Sequence, residues 1–361
     1  VTGQAAPLAL PVPVCRVTGI ARPSRASRIR FELMIPLGAA WNGKYLQLGS
    51  GGFAGRIPYH DFAAPLARGY AVGASDGGHV GTDFTDGRWA MNAPEAVRDF
   101  GHRAVKSTRD AAGALLRAFG GGEPRRAYFV GCSNGGREAL QAAQRYPRDF
   151  SGIVAGAPAS HMTALFAFHG RIAQRLASAG GALPASKLPA LQRAAIAACG
   201  NGDGIVADPA QCAFDPASLA CATDDAMRDD CLTTDEIETA RAIYAGVADP
   251  RTGRVLRGPA PGAEAEPGGW AGWLLGDGDD PAAESGGRAF SRNFYAYFVR
   301  KDPAFDIAGL TARDVAAGHA RFGRIIDATD PDLRAFAAGG GRLIQYHGWN
   351  DQTLQPAYSP Q

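Results

Sequence analysis

The sequence lacks any apolar run that approaches the roughly 20 residues needed to span a bilayer, and it has no block of lysine or arginine. The formal net charge of the 361 residues is only +2. Because phosphate binding needs a concentrated basic face, the low net charge and the lack of a basic block argue against nucleic acid as a partner. The lack of a long apolar run argues against a membrane. Hydrophobic residues at 46% and charged residues at 20% are ordinary for a globular enzyme.

None of the six cysteines stands in a C-x-x-C spacing, so a zinc site is not indicated. Four cysteines crowd into one segment rich in Asp and Pro: Cys199, Cys212, Cys221 and Cys231. Short disulfide loops in an exported protein fit this crowding, which predicts a secreted or periplasmic location. Four reduced thiols in a cytosolic loop are the alternative.

Short apolar runs alternate with helical patterns in the first part of the chain and return near its end. The predicted strands are 28–34, 44–48, 69–74, 127–130, 152–155 and 342–346. Strands that alternate with helices indicate a parallel α/β sheet. Strand patterns fade across 159–330, where helices are predicted over 183–199 and 234–245. The length suits one catalytic domain, 1–158 and 331–361, that carries an inserted domain at 159–330.

A nucleophile motif follows the strand at 127–130. Gly131-Cys132-Ser133-Asn134-Gly135 fits G-x-S-x-G, and a helix follows at once, as a nucleophile elbow requires. Glycines flank such a serine because the turn is sharp. The turn lifts the Ser133 hydroxyl above a helix N-terminus, where the Asn134 N–H can stabilise an oxyanion. A glycine turn with an incidental serine is the alternative.

Two further members of the site are predicted from loops that follow strands. The glycine loop after 44–48 offers unobstructed backbone N–H groups, which favours Gly52 or Gly51 as the second oxyanion donor. Asp351 follows the strand at 342–346 and suits the acid that orients an imidazole. A plain glycine turn and an ordinary turn aspartate are the respective alternatives.

No histidine follows Asp351, although the base of such a triad is expected after the acid. All seven histidines precede Asp351, and we predict none of them as the base. We therefore expect the catalytic histidine beyond Gln361. At the other end, no charged-then-apolar leader follows Val1, so the sequence is expected to be a processed form or a piece of a longer chain.

Several longer motifs together resemble one family. They are 41–44 with 49–55, 75–79, 99–104, Gly-Cys-Ser-Asn-Gly-Gly-Arg-Glu-Ala-Leu at 131–140, 149–158 and His-Gly-Trp-Asn-Asp at 347–351. These residues are similar to the tannase/feruloyl esterase family, which includes mono(2-hydroxyethyl) terephthalate hydrolase. Gly-Cys-Ser-x-Gly-Gly-Arg-Glu is far more specific than a bare G-x-S-x-G.

The resemblance implies an α/β-hydrolase fold with an inserted lid domain, acting on esters of aromatic carboxylic acids. Ser133 and Asp351 match the family's nucleophile and acid. The family pattern also has a terminal His-Cys pair whose cysteine is joined to the one beside the nucleophile, here Cys132. That segment is absent, which implies a C-terminal truncation. Cys15 resembles the second member of an N-terminal disulfide whose other half is also missing.

In the lid, the resemblance implies disulfides Cys199–Cys212 and Cys221–Cys231. The loop inside the first pair resembles the family's calcium loop, with oxygens from four residues that suit a hard cation: Asn201, Asp203, Ile205 (its carbonyl) and Asp208. This loop is shorter than the family form and lacks an Asp directly after the first cysteine. An Asx-rich turn held by a disulfide is the alternative.

Trp270 and Trp273 are candidates for covering an aromatic acyl group, with simple packing under a loop as the alternative.

From these motifs we predict a serine esterase for feruloyl, galloyl or terephthaloyl esters that works through an acyl-enzyme and needs no cofactor, apart from a structural Ca²⁺. The 361 residues alone are expected to be inactive. A catalytically inactive binding protein is the rival from another class, and a peptidase or acyltransferase is a third reading.

Overall fold

The computed structural model describes residues 10–119, 122–223, 227–249, 252–276 and 284–359. The chain divides into two compact units, one formed by residues up to Ser160 with Ile325–Tyr346, and the other by His161–Arg324 with His347–Gln361. The predicted boundaries are at 158 and 331. The predicted catalytic domain includes 347–361, whereas the structure groups that segment with the second unit.

A seven-stranded sheet forms the centre of the first unit. Its strands are β1 (Val14–Ala21), β2 (Ile29–Pro36), β3 (Lys44–Leu48), β4 (Ala71–Ser75), β5 (Arg126–Cys132), β6 (Gly152–Gly156) and, later in the chain, β9 (Arg342–Tyr346). Their order across the sheet is β1-β2-β4-β3-β5-β6-β9. The five strands from β4 to β9 run parallel, as the strand–helix alternation predicts.

The sheet is mixed rather than wholly parallel. β1 pairs antiparallel with β2, and β2 pairs antiparallel with β4. Strands joined by a short connection can pair antiparallel without a helical crossover, and β1 and β2 are separated by only the segment from Arg22 to Arg28. The prediction missed β1, so it could not include this antiparallel edge.

Helices cover the sheet of the first unit. They are α1 (Ala63–Ala67), α2 (Pro94–Arg98), α3 (Ala104–Phe119), α4 (Asn134–Arg145) and α10 (Arg334–Ala338), with a π-helical turn at Asp99–Arg103 between α2 and α3. α3 and α4 share one apolar cluster with the sheet, which includes Leu116, Phe129 and Ile153. α1 adds Leu66 to a second cluster with Met34. Burying these side chains is what holds helices against strands.

The end of the sheet at β5, β6 and β9 carries exposed apolar side chains. Val130 is 36% exposed, Ile344 62% and Tyr346 56%. Because side chains alternate between the two faces of a strand, these residues point away from neighbours that are less exposed. The described residues therefore leave one part of this face to solvent.

The second unit is mainly helical. Its helices are α5 (Met162–Ala177), α6 (Leu188–Cys199), α7 (Thr234–Ala245), α8 (Gly286–Asn293) and most of α9 (Ala312–Ile326), with π-helical turns at Ala271–Leu275 and Phe294–Arg300. Two short strands, β7 (Val247–Ala248) and β8 (Val255–Leu256), form an antiparallel pair. Its own apolar cluster includes Phe168, Leu191, Ile243 and Trp270. No helix among the described residues is long and apolar enough to cross a membrane.

Disulfides and a buried ion pair reinforce the second unit. Cys199 is joined to Cys212, and Cys221 to Cys231, which are the pairs that the resemblance implies. Lys187 Nζ donates to Glu236 Oε2 at 2.6 Å, and both side chains are buried. Glu236 also accepts from the Thr233 N–H at 2.8 Å and completes a capping box at the start of α7.

Candidate active site

Ser133 occupies a sharp turn between β5 and α4. Its backbone angles are φ 59° and ψ −121°, a conformation that a non-glycine residue adopts only under strain. The Ser133 N–H donates to Gly156 O at 3.1 Å, and its carbonyl accepts from the Arg137 N–H at 3.0 Å. These bonds fix the residue between the strand and the first turn of the helix. This is the strand–turn–helix geometry of a nucleophile elbow.

The glycine loop after β3 lies against this elbow. Gly52 has φ +56°, and a Cβ added there would lie 2.3 Å from Phe84 O, so both the backbone angle and the space require glycine. The Phe53 N–H donates to the same carbonyl at 2.8 Å, which holds the loop in this conformation. Gly51 differs, because its φ is not positive and an added Cβ would meet nothing within 4 Å.

Three backbone N–H groups near the elbow are available as donors. Neither the Gly51 nor the Gly52 N–H has a hydrogen bond within the described part of the chain. Asn134 is the first residue of α4, so its N–H has no partner inside the helix. A cavity of about 480 Å³ is lined by both segments, with Gly49–Gly51 on one side and Gly131–Cys132 on another. Part of the predicted oxyanion loop and the first two residues of the elbow motif therefore line one cavity, whereas Ser133, Asn134 and Gly52 are not among its lining residues.

Arg137 anchors the helix that follows Ser133. Its guanidinium is fully buried and donates to the carbonyls of Phe100, Gly101 and Ile326 at 2.6–3.0 Å. Burial lowers the pKa of Arg137 to about 10, so the group remains cationic at neutral pH. The arginine of the Gly-Cys-Ser-x-Gly-Gly-Arg-Glu motif therefore satisfies three backbone carbonyls, two in the π-helical turn and one at the end of α9.

Asp351 belongs to the second unit, and Ser133 to the first. The Asp351 Oδ1 accepts from the N–H groups of Thr353 and Leu354 at 3.0 and 2.9 Å. Its Oδ2 lies 3.2 Å from His347 Nε2. The carboxylate therefore caps a turn and faces an imidazole, and its role as catalytic acid stays a prediction.

His347 is the histidine that Asp351 contacts, and this contact was not predicted from the sequence. Its Nε2 also lies 2.8 Å from Leu354 O, and its Nδ1 lies 2.6 Å from Ser359 Oγ. Because both ring nitrogens have partners within the same unit, we do not assign His347 as the catalytic base. The spacing of four between His347 and Asp351 was the available signal, but in a loop such a spacing does not predict contact.

Three other histidines are held neutral by their surroundings. Burial is the main cause that lowers the pKa of His79, His102 and His169 to about 4 in each case. The His79 ring stacks on Trp89 with 3.6 Å between ring centroids, and its Nε2 lies 2.7 Å from Phe53 O. His79 therefore supports the glycine loop as a packed, neutral ring.

The predicted calcium loop keeps its acidic groups occupied within itself. Asp203 accepts from the Ile205 N–H at 3.1 Å, and an Asn201 amide donates to the same carboxylate. Asp208 accepts from Gln211 at 2.6 Å. Within the described ranges, no group of three or more acidic, histidine or cysteine side chains could hold a metal ion. The four predicted ligand residues supply only two carboxylates, whose oxygens bond within the loop, whereas Ca²⁺ takes six to eight oxygens. Calcium binding at this loop stays a prediction.

The two candidate pocket tryptophans differ. Trp270 is fully buried, and its Nε1–H donates to Gln352 Oε1 at 2.8 Å. Its ring packs on Tyr244 at 5.0 Å, so we assign Trp270 to the core of the second unit rather than to a pocket. Trp273 is partly exposed and stacks on Phe290. Its substrate role stays a prediction.

Comparison with known proteins extends over nearly the whole chain. A model of the family described as "Tannase and feruloyl esterase" matches residues 15–360. An uncharacterized esterase of Xanthomonas campestris pv. campestris is 40% identical over 358 residues, which cover 95% of this chain and 61% of that protein. The chain spans about three-fifths of the length of the curated relatives that it matches.

Solved structures agree on the fold. Feruloyl esterase B from Aspergillus oryzae superimposes with a TM-score of 0.86 at 27% identity, over 96% of this chain and 68% of that one. Tannin acyl hydrolase from Aspergillus niger superimposes with a TM-score of 0.74 at 23% identity, over 96% and 67%, which supports the fold alone. The predicted α/β-hydrolase class is therefore confirmed. The chain belongs to the tannase and feruloyl esterase family.

Proposed function

We propose that this protein hydrolyses carboxylic esters with Ser133 as the nucleophile. The observation that carries the proposal is the strained Ser133 backbone at the end of β5, with φ 59°, directly before α4. Such strain persists only where surrounding structure enforces it, and it is typical of serines that must project from a sheet. The unbonded N–H groups of the adjacent glycine loop support the same reading.

In the proposed reaction, Ser133 Oγ attacks the ester carbonyl carbon while its proton passes to a base. The carbonyl oxygen becomes an oxyanion that accepts from the Asn134 N–H and from Gly51 or Gly52. The carbon–oxygen bond to the alcohol then breaks, and the alcohol leaves with the proton. Water attacks the acyl-Ser133 ester, releases the acid and returns the proton to Ser133. We propose a histidine as this base, with Asp351 as the acid that orients it.

We further propose esters of aromatic acids as substrates, of the feruloyl, galloyl or terephthaloyl type. This rests on family membership and on the similarity to feruloyl esterase B. Export to an oxidising compartment is part of the proposal, because two disulfides in one segment persist best there.

Ser133→Ala in the complete gene product tests the proposal. We expect kcat/KM for methyl ferulate, methyl gallate and p-nitrophenyl esters to fall by about 10⁴-fold or more, because loss of a triad member leaves only residual catalysis. Ester hydrolysis followed by chromatography of the released acid gives the measurement. Ser107→Ala, on α3 of the same unit, is the matched control and should retain full activity. Turnover by Ser133→Ala at the rate of the control would end the assignment.

A further inference from the structure

Glu138 is a buried carboxylate directly beneath the candidate oxyanion site. It lies on α4, one turn after Asn134, and is 6% exposed. The reaction proposed above gives it no task. Burying a carboxylate costs free energy unless the group is paired or hydrogen-bonded, so the contacts of Glu138 must compensate for its burial.

Its two oxygens join the segments that carry the proposed oxyanion donors. Oε2 accepts from the Ser50 N–H at 2.9 Å, and Oε1 from the Ser50 hydroxyl at 2.7 Å. Oε1 also accepts from Asn134 Nδ2 at 3.1 Å, and the same amide donates to Ser50 Oγ at 3.0 Å. Ser50 directly precedes Gly51, and Asn134 directly follows Ser133. One carboxylate therefore holds both segments.

The two backbones approach each other closely. A Cβ added at Gly49 would lie 2.6 Å from the Gly135 Cα, and one added at Gly135 would lie 3.0 Å from Ser50 O. The approach therefore excludes a side chain at Gly49 and leaves little space for one at Gly135. The hydrogen bonds of Glu138 act where the two segments are already in contact.

The far side of this network is fixed as well. Asn134 Oδ1 accepts from Arg137 Nε at 2.8 Å, and Arg137 is itself held by backbone carbonyls of its own unit. This bond sets which way the Asn134 amide points, so that its Nδ2 faces Glu138 and Ser50. Burial raises the pKa of Glu138, and the nearby Arg137 guanidinium opposes that rise.

We propose that Glu138 is a positioning residue that sets the distance between the Gly51–Gly52 donors and the Asn134 donor, and thereby the geometry of the oxyanion site. The inference rests on the proposed function and deepens it. It gives the last residue of the Gly-Cys-Ser-x-Gly-Gly-Arg-Glu motif a role through other residues, without contact with substrate. Misplacement of donors weakens transition-state binding more than substrate binding, because the oxyanion forms only in the transition state.

Glu138→Gln in the complete gene product tests the inference. The amide has similar volume, but its NH₂ meets a donor, either the Ser50 N–H or Asn134 Nδ2. We expect kcat for methyl ferulate to fall by about 10²-fold, the order of loss that a 1 Å misplacement causes. KM should stay nearly constant. Inhibition by benzeneboronic acid, whose serine adduct presents an oxygen to the same donors, should weaken in parallel with kcat.

Glu236→Gln is the matched control, because Glu236 is also a buried, hydrogen-bonded glutamate but lies in the second unit. It should lower the melting temperature while kcat and boronate affinity stay at wild-type values. If Glu138→Gln fails to fold, Ser50→Ala carries the test. That change removes the hydroxyl bonds to Glu138 and Asn134, keeps the backbone bond, and should lower kcat by a smaller factor.

The outcomes separate this inference from the proposed function. If Ser133→Ala stays active, the nucleophile assignment fails and the inference fails with it. If Ser133→Ala is inactive but folded Glu138→Gln has wild-type kcat and boronate affinity, only the inference is overturned. A loss confined to melting temperature would likewise reduce Glu138 to a structural residue. With an unfolded Glu138→Gln, wild-type kcat in Ser50→Ala overturns the inference.

Discussion

The buried charges around the nucleophile turn of the first unit and those at the start of α7 in the second unit have different partners. In the first unit, Glu138 and Arg137 bind backbone groups and an amide around the nucleophile turn, and no disulfide occurs among its described residues. In the second unit, Lys187 pairs with Glu236, and two disulfides close short loops. The charges at the nucleophile turn place backbone donors, whereas the Lys187–Glu236 pair joins two structural elements.

This difference follows from what each fold offers. The mixed sheet of the first unit and its helices share two apolar clusters, which hold this unit together without a disulfide among its described residues. The second unit has long loops between its helices, and cross-links that limit the unfolded chain stabilise such a segment most. We therefore expect substitutions around the nucleophile turn of the first unit to change activity, and those at the buried pair and the disulfides of the second unit to change stability, with Asp351 as the exception.

Asp351→Asn tests that exception and should have the largest effect. Asparagine keeps the Oδ1 that caps the turn at Thr353 and Leu354, so the fold should persist. If Asp351 orients the base, kcat should fall by about 10⁴-fold through loss of the correct tautomer. Steady-state hydrolysis of methyl ferulate gives the measurement.

Asp302→Asn is the matched control, because Asp302 caps a turn at Ala304 in the same unit. It should leave kcat unchanged. Equal rates for both variants would show that Asp351 is not the catalytic acid. The substitutions considered in the second unit would then affect stability alone.

Lys187→Met should give the next largest effect, on stability. It leaves Glu236 buried without its cation, which costs about 3–5 kcal/mol in the free energy of unfolding. Urea denaturation followed by circular dichroism measures the change. Adding Glu236→Gln should recover part of the loss, because it removes the stranded charge. Arg241→Met breaks an exposed pair with Asp215 and should change stability far less. A change for Lys187→Met no larger than for Arg241→Met would refute the prediction.

The double variant Cys199→Ser, Cys212→Ser should have the next largest effect on stability. Opening a loop of this size lowers the free energy of unfolding by roughly 3 kcal/mol. Cys15 lies outside any disulfide, so Cys15→Ser is the control and should lower the free energy of unfolding less. Non-reducing peptide mapping should find Cys199 linked to Cys212. A Cys199–Cys231 peptide would show that the pairing is wrong.

The predictable elements were those with local signals. The strands at 44–48 and 342–346 and the helix at 234–245 have the predicted bounds, because an alternating strand pattern or a capping box marks their ends. α5 was missed, since eleven of its sixteen residues are buried and no side chain caps it, so the sequence shows no apolar stripe. Pro13 and Gly19 likewise weaken the strand pattern of β1.

In the candidate site, too, only features with local sequence signals could be predicted. The elbow could be predicted because its strand, serine and helix are contiguous in the sequence. Asn134 and Glu138 are four residues apart on a helix, a spacing that indicates contact. Their bonds to Ser50 could not be predicted, because 84 and 88 residues separate it from them and only the sheet order brings β3 beside β5.

The contrast between Gly51 and its neighbour Gly52 bears on how this pocket could diversify or be engineered. Position 52 is closed to any side chain, whereas position 51 has neither a backbone nor a steric barrier to one. A library that varies residue 51 would therefore place new groups at the rim of the cavity beside Ser133 while the loop keeps its shape. Single substitutions at residue 51 could therefore change substrate preference without producing variants that fail to fold.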